Sequence, residues 1–255
     1  MPKTRLDLLM VERGLSESRS LAQRLIMAGQ VRVNGQIVFK PATAISNDSK
    51  LTVDSGPRFV SRGGEKLEAA FLAWTVDVTG CVCADVGSST GGFTDCLLQH
   101  GAAKVYAIDV GKGILHWKMR SDPRVVVMEG TNARYVESLP EPVSLVTIDA
   151  SFISLKVLLP VIKEWGGNII TLIKPQFEAG RKETAKGEGV IRDPNVHRRV
   201  LEEVLTFAQV NGFSVDGLIR SPVLGPKGNV EFLALLVLTG ESIPLEDAIN
   251  TALSE

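Results

Sequence analysis

Charged side chains stand at the ends of four apolar runs, each with the length and composition of a buried strand. Asp85 lies near the end of the run 82–86, and Asp109, Asp149 and Lys174 close three later runs. These runs alternate with helical patterns, which predicts a doubly wound α/β sheet whose ligands bind at the carboxyl ends of its strands. Four such residues at successive strand ends are much less expected by chance than any one of them, so they predict a single site.

The turn between the first strand and its helix has the composition of a nucleotide-binding turn. It spans residues 84–94, Ala-Asp-Val-Gly-Ser-Ser-Thr-Gly-Gly-Phe-Thr, in which Gly87 permits close approach of a ligand and the helix start offers free N–H groups. A P-loop requires a lysine where this sequence has Phe93, and a dinucleotide fingerprint requires a glycine at position 89. ATP, NAD and a turn without a ligand are therefore weaker alternatives to S-adenosylmethionine, whose zwitterionic methionine part needs no pyrophosphate cradle.

The pattern Asp-x-Gly-x-x-x-Gly-Gly-Phe at the end of a first strand resembles the first motif of class I methyltransferases. Asp109 closes the next strand 22 residues after Gly87, where a carboxylate can accept both ribose hydroxyls. Past the third strand, Asn132 is the candidate for the adenine or its ribose, with Glu129 in reserve, although capping of a short helix explains Asn132 equally well. The predicted cofactor-binding residues are Asp85, Gly87, Ser89, Thr90, Gly91, Gly92, Phe93, Asp109, Val110, Glu129, Asn132 and Asp149.

The first 62 residues form a basic module on an acidic body. They carry ten Lys or Arg and five Asp or Glu, a net charge of +5, so the rest of the chain carries −6 and the total is −1. Helical patterns over 5–13 and 19–28 are followed by an alternating strand, 31–38, that Asn34-Gly35 turns into a hairpin. A small basic module of this kind is expected to meet a polyanion.

Two short helices followed by Gly-x-Val-x-Val-Asn-Gly resemble the S4 RNA-binding domain, over about residues 3–55. The resemblance implies that basic and polar residues of the helices meet structured RNA, mainly through phosphates; a solvated charged face is the alternative. A long polar stretch, 178–192, is interpreted as a mobile lip that contacts substrate, with a disordered tether as its alternative. The predicted RNA-binding residues are Arg5, Arg13, Ser18, Arg19, Gln23, Arg24, Arg62, Arg181 and Lys182.

The composition is that of a globular chain with one large and one small domain, at 255 residues and 44% apolar residues. No apolar run approaches 18 residues, and Asp7 and Glu12 interrupt what would be the apolar core of a signal peptide. The three cysteines contain no Cys-x-x-Cys pair, which predicts reduced thiols and no metal site. We therefore expect a cytoplasmic protein that does not enter a membrane.

Two further charged residues join Asp149 and Lys174. Lys66 lies in the first turn of a helix before the first strand, where the helix dipole disfavours a cation, and Glu231 stands alone among apolar residues of the last strand. A buried carboxylate is costly unless it is paired, so Lys174 or Lys66 is the expected partner of Glu231. The order Lys66, Asp149, Lys174, Glu231 resembles the catalytic tetrad of the FtsJ-like RNA 2′-O-methyltransferases.

Four longer matches extend this resemblance over nearly the whole chain. They are Phe-Val-Ser-Arg-Gly-Gly-Glu-Lys at 59–66, Ser-Phe-Ile-Ser-Leu at 151–155, Lys-Pro-Gln-Phe-Glu at 174–178 and Gly-Asn-x-Glu-Phe-Leu at 228–233. With the S4-like module, they are similar to the TlyA, or hemolysin A, family of rRNA methyltransferases. The resemblance implies a small α+β S4-like domain at 1–55 and, at 65–255, a class I (Rossmann-like) methyltransferase domain with a doubly wound, seven-stranded sheet. The turn composition of residues 55–64, with its glycines and proline, predicts a linker at 56–64 between them.

The family resemblance also implies a reaction, which uses S-adenosylmethionine and no metal. The substrate is a ribose 2′-hydroxyl of cytidine in rRNA or ribosomal subunits. Lys174 is expected to activate this hydroxyl, with Asp149 positioning its ammonium group near the methyl donor. Lys66 is expected to orient the ribose and to supply the second cation that makes Lys174 a base, and Glu231 to hold Lys66 or the ribose.

Two other functions stay open at this point. One is a non-catalytic ribosome assembly factor that binds RNA. The other is a cytolysin, which the family's name suggests and which the missing apolar runs disfavour. The ribosomal subunit and the oligomeric state, a monomer or a weak dimer, also stay open.

Overall fold

The structure, a computed structural model, describes residues 2–54 and 56–254, apart from the side chains of Arg181, Lys182 and Lys186. The chain divides into two compact units, which we call the first unit and the second unit. They are Met1–Arg58 and Phe59–Glu255.

The boundary between the units follows Arg58, inside the predicted linker at 56–64, and residues 59–64 belong to the second unit. The Phe59 side chain is buried in the core of the second unit, and a helix begins at Gly63 rather than at Glu65. Gly64 packs so closely on the Phe59 ring that a Cβ there would lie 2.6 Å from the ring's Cδ2. Gly64 is therefore required by close packing within the second unit.

The first unit packs two helices on small antiparallel sheets, in agreement with the predicted α+β domain. Its elements are β1 (Lys3–Arg5), α1 (Leu6–Glu12), α2 (Arg19–Met27), β2 (Val31–Val33), β3 (Gln36–Ile37), β4 (Ala44–Ser46) and β5 (Leu51–Val53). Strands pair in the order β3-β2-β5, and β1 pairs with β4. Asn34 and Gly35 have φ angles of 51° and 86°, as a two-residue type I′ hairpin requires. The core residues are Leu6, Leu9, Met10, Ala22, Ile26, Val31 and Ile45.

The second unit is built on a seven-stranded sheet. Its strands are β6 (Val82–Val86), β7 (Lys104–Asp109), β8 (Val125–Glu129), β9 (Leu145–Ile148), β10 (Asn168–Ile173), β11 (Ser214–Arg220) and β12 (Phe232–Val237). Their order is β11-β12-β10-β9-β6-β7-β8. Strand β12 is antiparallel to both its neighbours, and β10, β9, β6, β7 and β8 are parallel. This confirms the predicted doubly wound, seven-stranded sheet.

Helices cover both faces of this sheet. The α-helices are α3 (Gly63–Ala73), α4 (Gly92–Gln99), α5 (Trp117–Arg120), α6 (Leu155–Lys163), α7 (Pro175–Glu178), α8 (Arg181–Lys186), α9 (Pro194–Val210) and α10 (Leu245–Ser254), with 3₁₀ helices at Ala133–Tyr135 and Pro226–Gly228. Successive side chains of β6 enter different cores, because strand side chains alternate between faces. Cys83 clusters with residues of α3 and α4, whereas Ala84 clusters with residues of α6 and α9.

Two helices are not part of the sequence-based expectation. The polar stretch 178–192, interpreted as a mobile lip that contacts substrate, contains the short helix α8, and its contact with substrate stays a prediction. A helix after the last strand is not predicted, yet α10 buries Ile249 and Ala252 in the core that α9 also joins.

The strand order places a topological switch point between β6 and β9. From β6 the chain proceeds outward through β7 and β8, and it then returns to β9 on the other side of β6. Ligands of open α/β sheets bind outside the carboxyl ends of the strands at such a point. The residues that follow Val86 and Ile148 are therefore at the expected position of the site.

Candidate active site

Gly87 occupies the switch point between the ends of β6 and β9. Its φ of +82° is in the left-handed region, and a Cβ there would lie 2.8 Å from the backbone oxygen of Asp149. The Gly87 N–H donates to the carbonyl of Ile108 (2.8 Å), which ties the turn to the end of β7. Glycine is thus required where the two strand ends approach each other.

The residues after Gly87 form a tight loop that leads into α4. Ser89 and Gly91 have φ angles of +48° and +94°, and the Ser89 N–H donates to Asp109 Oδ2 (2.8 Å). Gly92 begins α4, and a Cβ there would lie 2.8 Å from the Gly64 nitrogen, so the starts of α3 and α4 touch. The loop borders a cavity of about 220 Å³. Six predicted cofactor residues line it: Gly87, Ser89, Thr90, Gly92, Phe93 and Asp149.

Asp85 is fully buried at the end of β6 and does not line this cavity. Its carboxylate accepts hydrogen bonds from the hydroxyls of Thr94 (2.6 Å) and Thr147 (3.2 Å). Burial raises the pKa of Asp85 to about 7; the threonine hydroxyls oppose the shift in part, and the nearby Asp149 charge adds to it. Asp85 therefore links β6, β9 and α4, and its contact with a cofactor stays a prediction.

Asp109 and Glu129 are register partners at the ends of β7 and β8, and both carboxylates shape loops. In addition to Ser89, Asp109 accepts a hydrogen bond from the Gly111 N–H (2.7 Å). Glu129 accepts from the N–H groups of residues 113–115 and from the Arg120 guanidinium. The Arg120 bond and these N–H groups lower the pKa of Glu129 to about 2. Contacts of either carboxylate with a cofactor ribose stay predictions.

Val110 and Asn132, two more of the predicted cofactor residues, also lie outside the cavity lining. Val110 is 67% exposed directly after the end of β7. Asn132 Oδ1 accepts a hydrogen bond from the Arg134 N–H (3.2 Å), so Asn132 caps the 3₁₀ helix at Ala133–Tyr135. The capping alternative for Asn132 therefore describes its contact in this structure.

A buried ion pair joins α3 to the residue that precedes β12. Lys66 Nζ lies 2.6 Å from Glu231 Oε2, and their side chains are only 10% and 0% exposed. Gln176 Nε2 donates to the other Glu231 oxygen (2.9 Å), and a Cβ at Gly225 would overlap the carboxylate. Of the two partners that the sequence allows for Glu231, the structure shows Lys66.

The second ion pair links Lys174, after β10, to Asp149, after β9. Lys174 Nζ lies 2.7 Å from Asp149 Oδ1 and donates to Ser151 Oγ (3.1 Å) and to the Asp149 carbonyl (3.3 Å). Lys66 and Asp149 line the same cavity, so the two pairs belong to one site. Each lysine has its own carboxylate, and the expected effect of Lys66 on Lys174 as a second cation stays a prediction.

Two residues that the sequence analysis does not single out lie beside these pairs. One is Gln176, which fixes Glu231. The other is Phe152, three residues after Asp149, which is 91% exposed and has a φ of +63°. Its ring centroid lies 4.9 Å from that of Phe177, whose ring is 5.6 Å from Lys174 Nζ. A bulky residue in left-handed backbone is strained, and such strain concentrates at functional sites.

In the first unit, one buried carboxylate gathers three of the predicted RNA-binding residues. Asp7 is 0% exposed and accepts hydrogen bonds from Arg5 (2.9 and 3.0 Å), Arg19 (3.0 Å) and Gln23 (2.8 Å). The Arg5 guanidinium holds the pKa of Asp7 well below its usual range, in spite of burial. The side chains of Arg5 and Arg19 stay 42% and 52% exposed. We call these four residues the Asp7 cluster.

The other predicted RNA-binding residues are dispersed. Arg13 donates to backbone carbonyls of Asn47 and Ser49, and Ser18 Oγ caps α2. Arg24 is exposed, and Arg62 is an exposed residue that lines the cavity of the second unit. The side chains of Arg181 and Lys182 lie outside the described part of the structure.

Comparisons with known proteins agree with this architecture. Residues 59–237 match the FtsJ-like methyltransferase family, and residues 4–47 match the S4 domain. A Bacillus subtilis (strain 168) protein named putative rRNA methyltransferase YqxC is 49% identical, over 94% of this chain and 87% of its own. The 16S/23S rRNA (cytidine-2′-O)-methyltransferase TlyA of Mycobacterium tuberculosis (strain CDC 1551 / Oshkosh) is 46% identical, over 99% and 98%.

A solved structure of a putative hemolysin from Streptococcus thermophilus is 43% identical, has a TM-score of 0.73, and covers 100% of this chain and 97% of its own. The fold and the site therefore define a methyltransferase preceded by an S4 domain. The chain belongs to the FtsJ-like methyltransferase family, within the group whose members carry the names TlyA and hemolysin A. This confirms the family predicted from the sequence.

Within the part of the chain that the structure describes, none of the helices combines the length and the apolar character needed to span a bilayer.

Proposed function

We propose that this methyltransferase transfers a methyl group from S-adenosylmethionine to the ribose 2′-hydroxyl of a cytidine in rRNA. The proposal is carried by two lysine–carboxylate pairs, the buried pair Lys66–Glu231 and the partly buried pair Lys174–Asp149, beside the glycine loop at the switch point. The name of the M. tuberculosis relative, an rRNA (cytidine-2′-O)-methyltransferase, supports both the nucleotide and the hydroxyl. Residues 1–58 act as the RNA-binding domain and residues 59–255 as the catalytic domain, in the cytoplasm where ribosomes are found.

The groups that line the cavity fit S-adenosylmethionine. Ser89, Thr90 and Asp149 line it, and these residue types offer hydroxyl donors and a carboxylate acceptor to the zwitterionic methionine part. The N-terminus of α4 at Gly92 adds backbone N–H groups that favour a carboxylate. Bound there, the sulfonium supplies an electrophilic methyl group.

Lys174 is the residue that activates the hydroxyl. A ribose 2′-hydroxyl is a poor nucleophile at neutral pH, so its proton must leave as its oxygen forms the new bond to carbon. The unprotonated form of the Lys174 amine accepts this proton at Nζ. Asp149 and Ser151 hold this nitrogen from two sides, which fixes its position before the substrate arrives.

Lys66, which belongs to the Lys66–Glu231 pair, orients the ribose. Lys66 lines the cavity, and its ammonium group is anchored by Glu231, whose other oxygen is held by Gln176. An anchored donor of this kind loses little side-chain entropy when a substrate hydroxyl arrives.

Phe152 receives the base of the target nucleotide. Its ring is almost fully exposed next to the Lys174–Asp149 pair and packs against the Phe177 ring. Stacking of an unpaired base on an aromatic side chain contributes about 1–3 kcal/mol, which offsets part of the cost of unstacking that base from the RNA.

The decisive experiment measures methyl transfer from radiolabelled S-adenosylmethionine to intact ribosomes, separated subunits and naked rRNA. Wild type is compared with Lys174→Ala and with Lys156→Ala, which removes an exposed lysine paired with Glu203 on the second unit. Label should survive alkaline hydrolysis as an uncleaved dinucleotide, because a 2′-O-methyl group blocks cleavage. Loss of a general base lowers the rate by about 10²–10⁴-fold, so Lys174→Ala should be inactive while Lys156→Ala keeps the wild-type rate.

Calorimetry with S-adenosylmethionine accompanies this assay, and Lys174→Ala should retain cofactor binding. Label recovered in mononucleotides after alkaline hydrolysis, rather than in the uncleaved dinucleotide, would contradict ribose methylation. Cofactor and RNA binding without label on any substrate would instead identify an RNA-binding assembly factor without turnover.

A further inference from the structure

A cluster of metal-ligating side chains joins α3 to α4 outside the lining of the active-site cavity. Glu68 belongs to α3, Cys96 to α4, and His100 caps the C-terminus of α4. A carboxylate oxygen, the thiol sulfur and an imidazole nitrogen all lie within 4.8 Å of one another. Glu68 Oε2 is 2.7 Å from His100 Nε2 and 3.7 Å from Cys96 Sγ. We call these three residues the Glu68–Cys96–His100 cluster.

The two separations that involve Glu68 Oε2 are close to those around a zinc ion. Zinc binds thiolate sulfur at about 2.3 Å and imidazole nitrogen or carboxylate oxygen at about 2.0–2.2 Å, so tetrahedral ligand atoms lie about 3.4–3.6 Å apart. The Cys96–Glu68 separation already fits. The His100–Glu68 contact of 2.7 Å must open by about 0.7 Å, which a small rotation of the carboxylate achieves.

The position of the cluster on α4 also favours a cation. Cys96 and His100 are four residues apart, so both side chains project from one face of the helix. They lie at its C-terminal end, where unpaired carbonyl groups and the helix dipole attract positive charge. The Phe71 ring stacks on His100, with centroids 4.3 Å apart and planes at 23°, and this contact restrains the imidazole.

The cluster combines a buried ligand with an open side. Cys96 is fully buried, whereas the side chains of Glu68 and His100 are 14% and 30% exposed. An ion can therefore enter past His100, and a water molecule can complete a four-coordinate centre.

We propose that Glu68, Cys96 and His100 form a site for a thiophilic divalent metal ion, with Zn²⁺ as the best-matched ion. The ion clamps α3, which carries Lys66, to α4, which begins at Gly92 of the cofactor loop. Binding releases the thiol proton to solvent and transfers no electron, and the methyl-transfer step does not use the ion. The sequence predicts no metal site because it lacks a Cys-x-x-Cys pair, but the fold brings the third ligand from another helix.

Cobalt is the probe for this site, because thiolate coordination to Co²⁺ produces an intense near-ultraviolet charge-transfer band. Metal-free, full-length protein should bind one equivalent of Co²⁺ with this band, and Zn²⁺ should displace it. Cys96→Ala and His100→Gln should abolish the band and weaken Zn²⁺ binding by at least about tenfold, since even outer-sphere partners of metal ligands contribute 10–100-fold. The matched controls Cys81→Ala and His116→Gln should keep both.

Thermal melting gives an independent readout, and His100→Gln keeps the test valid if Cys96→Ala does not fold. Zn²⁺ at about 100 times its Kd should raise the melting temperature of the wild type by about 5–10 °C and leave that of His100→Gln unchanged. Absence of the cobalt band in wild type, its persistence in His100→Gln, its loss in Cys81→Ala or His116→Gln, or an equal thermal shift in His100→Gln would each overturn the proposal.

Discussion

In each unit a fully buried carboxylate holds basic side chains together with a glutamine amide. In the first unit Asp7 binds Arg5, Arg19 and Gln23, and in the second unit Glu231 binds Lys66 and Gln176. The cations differ in exposure. The arginine side chains are 42% and 52% exposed, whereas the Lys66 side chain is 10% exposed.

We propose that this difference in exposure reflects two uses of positive charge. A guanidinium that is oriented at the surface can exchange counterions for RNA phosphates, an interaction that salt screens. A lysine that is already desolvated acts on a single substrate atom, since electrostatic interactions strengthen as water is excluded. Changes in the Asp7 cluster should therefore alter RNA affinity, and changes around Glu231 should alter turnover.

The largest effect is expected from breaking the buried Lys66–Glu231 pair. Glu231→Ala leaves a buried ammonium without its partner, which costs about 3–5 kcal/mol of stability and removes methyl transfer. The double variant Lys66→Met/Glu231→Leu should recover most of that stability, because apolar residues of similar volume can replace a buried pair, but it should remain inactive. Urea unfolding and the transfer assay measure the two effects. Activity in the double variant would show that the pair is structural.

A third buried carboxylate, Asp85, sharpens the comparison because it accepts hydrogen bonds from the hydroxyls of Thr94 and Thr147 rather than from cations. Burial raises its pKa from 3.8 to about 7, whereas that of the equally buried Asp7 is lowered. Folded protein thus keeps the Asp85 proton where the unfolded chain has lost it, so this group makes the free energy of unfolding fall as pH rises from about 4 to 7. Asp7 acts in the opposite direction, since its contribution is present above about pH 4 and is lost as pH falls.

The variant Asp85→Asn tests this difference between carboxylates. An amide keeps hydrogen-bonding capacity toward Thr94 and Thr147 but does not titrate. The stability of Asp85→Asn relative to wild type should rise by up to about 3 kcal/mol between pH 5 and pH 8, as measured by urea unfolding at each pH. A difference between the two proteins that is constant over this range would mean that Asp85 is ionised throughout.

The two glutamines allow a matched pair of variants. Gln176→Met and Gln23→Met each remove one hydrogen bond to a buried carboxylate, of the kind that contributes about 1.5–3 kcal/mol. Gln176→Met should lower the single-turnover methylation rate by roughly 10- to 100-fold with little change in RNA affinity. Gln23→Met should weaken RNA affinity and leave the saturated rate unchanged. If both variants change the same parameter, the assignment of the two clusters to different tasks is wrong.

The sequence predicts which charged residues stand at the strand ends of the second unit, but it does not predict which of them form ion pairs. Apolar runs locate Asp149 and Lys174, because parallel strands bring their carboxyl ends to one edge. Strand β10 pairs with β12 so that Ile173 faces Phe232, which makes Lys174 and Glu231 neighbours in register. The partner of Glu231 is nevertheless Lys66, 165 residues away, and this choice depends on how α3 packs.

Other differences between expectation and structure have local causes. Spacing of Leu245, Ile249 and Ala252 is amphipathic and could have indicated α10. The loop contacts of Glu129 and the exposure of Phe152 depend on the paths of irregular segments, which side-chain type and periodicity do not determine. The Glu68–Cys96–His100 cluster likewise arises from contact between two helices rather than from a sequence motif.

The smallest expected effect concerns the exposed cations of the Asp7 cluster. Arg19→Gln removes one cation that we propose contacts phosphate, so the slope of log K against log salt should fall by about 0.7–0.9 in RNA-binding titrations between 50 and 200 mM salt. Asp7→Asn keeps both arginine charges but loosens their orientation, so it should weaken affinity while the slope changes less. Lys156→Gln, a change at an exposed ion pair of the second unit, is the control and should leave the slope unchanged. An unchanged slope in Arg19→Gln would mean that Arg19 serves only the fold of the first unit, and the contrast in exposure would then carry no functional meaning there.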